Sequence, residues 1–137
     1  MEPSLASTTG WLAAALILTA ALVPLAHRLF AQRRAIPTSR TITTHLVLGL
    51  SATAMALLHT FATLPSLGSP AAIRGGMTAI LPAIVAFFVL FAHVGVGLRL
   101  RNPRLRDRVR IRRLHVAFAL TIAVTVAAHV TALVLVS

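Results

Sequence analysis

Four apolar runs, each about twenty residues long, divide this chain, and almost every charge falls between them. A run of that length, helical at about 1.5 Å per residue, crosses a hydrocarbon core of about 30 Å. The runs cover residues 11–30, 43–64, 77–100 and 114–136. The pattern predicts an all-α fold: an integral-membrane, up-and-down four-helix bundle forming one domain over residues 1–137. Composition agrees, because 58% of residues are apolar and only 11% charged, far less charge than a soluble domain carries.

The first run has the look of a secretion-signal core. It is preceded by a short polar lead, residues 1–10, without a cation, and is long enough to span, so it reads as a retained helix with Trp11 at an interface. Pro24 is expected to kink it near its end. Pro65, Ser66, Gly68, Ser69 and Pro70 break the second run. The two halves form a loose repeat in which His45 and His115, and His59 and His129, are seventy residues apart.

All thirteen cations are arginine, against Glu2 and Asp107 as the only acids, for a net charge of +11. Arg28 and residues 31–42 (AQRRAIPTSRTI) hold four of them, and residues 99–113 (RLRNPRLRDRVRIRR) hold eight. Arg74 is alone in the second connection. The positive-inside rule then puts the first and third connections in the cytoplasm and both termini outside, on the periplasmic face if the membrane is a bacterial inner membrane. The arginines lie between apolar runs and not among aromatics, so membrane topology and anionic headgroups account for the charge, and no nucleic-acid partner is expected. A docking site for an acidic partner is the functional alternative.

Six histidines carry the chemistry. His45 and His59 are fourteen residues apart on the second run, and His115 and His129 fourteen apart on the fourth. Fourteen residues come within roughly 40° of whole helical turns and span about 21 Å, so each pair shares a face at two depths. Alternate helices run in the same direction, which puts His45 level with His115 at the cytoplasmic side and His59 level with His129 at the outer side. A flat macrocycle at each level could take one histidine from each helix, and two bis-histidine haems need that arrangement. Gly49, Ala52 and Ala56 lie between the histidines of the second run and leave room beside a ring; small residues are also common wherever membrane helices touch. The bland alternative, histidines that hydrogen-bond across helices, explains one such residue more easily than four at matched spacing. Zinc and copper fit poorly, because ligands about 21 Å apart cannot share an ion and no carboxylate or cysteine completes a site. Without cysteine, iron–sulfur clusters and covalent haem attachment are also excluded.

With histidine pairs spaced this way on its second and fourth helices, the chain resembles the di-haem core of the cytochrome b subunit of bc1 and b6f complexes. It is similar in arrangement to the ferric-reductase-like family and to the small four-helix cytochromes b of dehydrogenases and hydrogenases. The resemblance implies two haem b groups, with His45 and His115 ligating the inner iron and His59 and His129 the outer. The bc1 family also places glycine pairs on its first and third helices; here Gly95 and Gly97 have no partner fourteen residues away. The later helices of a quinol-oxidation site and a fused flavin or nicotinamide domain are missing, which points away from a complex III or ferric-reductase role. Dehydrogenase cytochromes often take a ligand from the first helix, which keeps His27 open.

His27 and His93 lie near the basic ends of their runs. They read as interfacial histidines bonded to water, a headgroup or a haem propionate; a quinone or proton site, or an alternative inner ligand, stays open for both. Arg40, Arg112 and Arg113 precede the inner histidines and are candidates to pair with propionates, with Arg74 the outer candidate; topology alone accounts for them equally well. No catalytic triad, paired carboxylate site or phosphate loop occurs. The expected function is transmembrane electron transfer by a subunit of a redox complex, with lipids, other redox subunits or carriers, and quinone as partners. The alternatives are a haem-free structural anchor and a quinone-reactive subunit using His27 or His93.

Overall fold

A computed structural model of the chain describes residues 4–33, 35–67 and 76–136. It contains four long helices: α1 (Leu5–Ala31), α2 (Arg40–Thr63), α3 (Gly76–Leu100) and α4 (Arg108–Val136), with a single 3-10 turn, Leu64–Ser66, after α2. All four are long and apolar enough to cross a membrane.

Local chemistry explains where the helices begin. Ser4 caps α1, its hydroxyl accepting from the Ser7 amide at 3.2 Å, and Ser39 caps α2 by accepting from the Ile42 amide at 3.4 Å. Between α3 and α4, Asn102 Oδ1 accepts from the Arg104 amide at 2.9 Å in a tight turn, and Arg108 donates to the Asn102 carbonyl at 2.7 Å. Pro103 cannot continue α3.

Three helix starts differ from the sequence expectation, α2 the least, since it begins at Arg40 where residue 43 was the expected start. Helix α1 starts at Leu5, so Ala6, Thr9 and Gly10 are helical and not part of a polar lead. Helix α4 starts at Arg108, so Arg108, Arg110, Arg112 and Arg113 are on its first two turns and the third connection shrinks to residues 101–107. Both extensions carry residues whose polarity masks their helical role. Arginine is a good helix former, and a helix can run past the apolar core without penalty. Helix α1 also continues through Pro24.

The helices form two antiparallel hairpins, α1–α2 and α3–α4, each in contact along its length, while the hairpins meet mainly where α2 approaches α3. The buried apolar core consists of Ala13, Ala20, Ala52, Ala79, Ala86, Leu90 and Ile122. Alanine dominates it because small side chains let helix backbones approach closely. Large side chains such as Phe30, Phe88, Leu120 and Val124 are exposed.

Candidate functional site

The four paired histidines all face the interior between the hairpins, and three of them are held by backbone. His45 Nδ1 donates to the Ala20 carbonyl at 2.7 Å, His59 Nδ1 to the Ala6 carbonyl at 2.9 Å, and His129 Nδ1 to the Ala79 carbonyl at 2.8 Å. A carbonyl can only accept, so Nδ1 carries the proton and Nε2 keeps a free lone pair. Metal-ligating histidines are commonly oriented by this kind of hydrogen bond.

The register follows from the sequence. Ala6 and Ala20 are fourteen residues apart on α1, the same interval that separates His59 from His45 on the antiparallel α2. At Ala20 there is an added reason for the tether. Its carbonyl is the one that the residue four positions on would normally engage, and that residue is Pro24, which has no N–H. The proline therefore leaves Ala20 open to His45. On α3, Ala79 holds His129, and fourteen residues further along comes His93, opposite His115. His93 thus occupies in the second hairpin the place that Ala20 occupies in the first.

At the outer level His59 and His129, one from each hairpin, line a single cavity of about 460 Å³. That volume lies in the range of about 300–1,000 Å³ usual for small-molecule and cofactor sites. Its walls are apolar and contributed by all four helices: Gly10 and Ala13 of α1, Ala56 of α2, Ala83, Ala86 and Phe87 of α3, Ile122 and Val126 of α4. Gly10 presses directly on His59: a Cβ there would stand 3.0 Å from His59 Cε1. Thr9, buried on the same turn, has its hydroxyl 3.5 Å from His59 Nδ1.

At the inner level the His45 and His115 ring centroids are 6.0 Å apart with planes at 84°. Gly97 lies against His115, where a Cβ would be 3.1 Å from Cε1. His93 stacks on His115 with centroids 3.8 Å apart and planes at 14°. The Nδ1 atoms of both rings are buried and lack a hydrogen-bond partner among the described residues. His27 is placed differently: its Nδ1 is 3.3 Å from the Thr41 hydroxyl, tying the end of α1 to the start of α2.

Of the small residues on α2, Ala52 is buried, Ala56 lines the outer cavity, and Gly49 faces open space, with no atom within 4 Å of a Cβ placed there. Arg40 is exposed at the start of α2. Arg112 and Arg113 line a surface groove with Arg28. Arg74 lies outside the described residues. Gly10 was not distinguishable in sequence as a functional residue, because the first helix had been expected to start after it; the row Ala6, Ala13, Ala20, His27 at intervals of seven was the available signal.

No group of three or more His, Cys, Asp or Glu side chains among the described residues is arranged to hold a metal ion. Compared with known protein families, curated proteins and solved structures, the chain matches none.

Proposed function

We propose that the chain is a membrane-embedded di-haem cytochrome b that passes single electrons between the two faces of a bilayer as part of a larger redox system. The observation that carries this reading is the outer level. His59 and His129 come from different hairpins, each has Nδ1 committed to a backbone carbonyl, and both line the same apolar cavity of about 460 Å³. Haem supplies one-electron chemistry at iron when bound. His59 and His129 would hold one haem at the outer level, and His45 and His115 the other at the inner, with Nε2 the free nitrogen of His45, His59 and His129. Ala6, Ala20 and Ala79 orient three of these rings. Gly10 and Gly97 admit the ring edges, and the apolar walls exclude water, which sets a low dielectric around each group.

Held by two histidines, each iron would have no coordination position left for substrate, which favours relay over transformation. The arginine-rich connections support an orientation with the inner level toward the cytoplasm, by the positive-inside rule. Purified protein should contain two haem b per chain by pyridine haemochrome analysis. Protein that folds with its four helices and carries no haem would overturn the reading and leave a structural membrane anchor.

The inner level supports a second role beside the first. The partnerless Nδ1 atoms of His93 and His115 offer buried polar positions to a quinone carbonyl or hydroxyl. Loss of quinone-dependent haem oxidation in His93→Ala, with haem spectra unchanged, would establish it.

A further inference from the structure

The groove shared by Arg28, Arg112 and Arg113 is not explained by the histidine sites. It has a volume of about 410 Å³ and is completed by Val116, Ala117 and Leu120. Arg28 is in the last turn of α1 and the other two arginines are in the second turn of α4, so the groove bridges the two hairpins at their basic end. Arg113 is two positions before His115, about 200° around the helix, and so projects away from the face that bears the histidine. Val116 is 51% and Leu120 63% exposed, which marks this as an outer, lipid-facing surface. No carboxylate lines the groove to neutralise three guanidinium groups.

We propose that this groove is a binding site for an anionic phospholipid. Its phosphate sits among Arg28, Arg112 and Arg113, and an acyl chain lies along Val116, Ala117 and Leu120. Guanidinium groups bind phosphate oxygens by paired, charge-assisted hydrogen bonds. The groove combines three such groups with an apolar floor running into the bilayer. A lipid there joins the hairpins on a side where the protein itself provides few contacts. The inference rests on the membrane reading above and not on the presence of haem.

The test uses the full chain reconstituted in phosphatidylcholine nanodiscs containing a minor fraction of phosphatidylglycerol, with retained lipid measured by native mass spectrometry. Membrane integration is checked separately by resistance to alkaline carbonate extraction, so failure to insert is distinguished from failure to bind. Wild type should retain phosphatidylglycerol in preference to phosphatidylcholine. Each arginine removed near a membrane surface should weaken binding about fivefold, so Arg112→Gln/Arg113→Gln should lose about twenty-five-fold. Arg104→Gln/Arg106→Gln, in the connecting loop, should retain wild-type binding. An equal loss in the loop variant would reduce the effect to bulk charge and overturn the site. Equal retention of phosphatidylcholine would do the same, as would arginine-dependent binding of inorganic phosphate in pure phosphatidylcholine discs that matches the lipid. Unchanged lipid retention in Arg112→Gln/Arg113→Gln, with an altered haem spectrum, would assign these arginines to a propionate instead.

Discussion

Gly10→Ala tests the outer site without touching a ligand. The added Cβ would stand 3.0 Å from His59 Cε1 and 3.1 Å from Nδ1. Ordinary carbon contacts begin near about 3.5 Å, so the ring must shift by about 0.5 Å. The hydrogen bond from His59 Nδ1 to Ala6 is 2.9 Å long; a shift of that size brings it to the edge of hydrogen-bond geometry. Losing such a bond costs about 0.5–1.5 kcal/mol, while replacing a helical glycine with alanine returns about 0.5–1 kcal/mol. Fold stability should therefore change by less than about 1 kcal/mol. Haem affinity should not be spared, because losing an orienting partner typically costs about 10–100-fold. Haem titration of apoprotein, with denaturation followed by circular dichroism, should show one of two sites weakened about tenfold or more in a stably folded protein. Gly97→Ala should weaken the other site, where the new Cβ is 3.1 Å from His115 Cε1, and Gly95→Ala, with nothing within 4 Å, should weaken neither. Equal weakening of both sites by Gly10→Ala, or no change at either, would refute the assignment of this contact to the outer haem.

Pro24→Ala restores an N–H that competes with His45 for the Ala20 carbonyl; thermal unfolding should show a more stable helix, while redox titration shows a shift confined to the inner haem. His93→Ala should keep both haems with their spectra unchanged, read by low-temperature difference spectroscopy; loss of a haem would make His93 a ligand. Ala52→Leu overpacks the core at a residue of α2 only 1% exposed and should destabilise the detergent-solubilised protein by about 1–3 kcal/mol in unfolding assays. Because the chain has no cysteine, a single cysteine replacing Arg104 should react with a membrane-impermeant thiol reagent only when the cytoplasmic side is exposed.

The fold was largely legible because its signals are long and repeated. Four apolar runs of spanning length leave few alternatives, and the fourteen-residue intervals put His45 with His59, and His115 with His129, on one face of each helix. What escaped the sequence depends on backbone partners. Nothing in the residue types at 6, 20 and 79 marks their carbonyls as acceptors, since alanine contributes only its small size. The Ser4 cap lies among other polar residues with nothing in its type to single it out, and the helical placement of Gly10 depends on it. His93 looked interfacial because it is close to Arg99 in sequence, yet the antiparallel register of α3 and α4 stacks it on His115. Arg112 and Arg113 precede a ligand candidate in sequence, but helical rotation carries Arg113 to the opposite face and into a groove with Arg28.

The most direct measurement of the central proposal is a reduced-minus-oxidised spectrum with haem quantification on wild type and His59→Ala, both purified in folded form. Two haems with split α-bands in wild type should become one haem with a single band in the variant, the inner haem surviving with His45 and His115. Two haems retained in His59→Ala would contradict the ligand assignment on which the proposal stands.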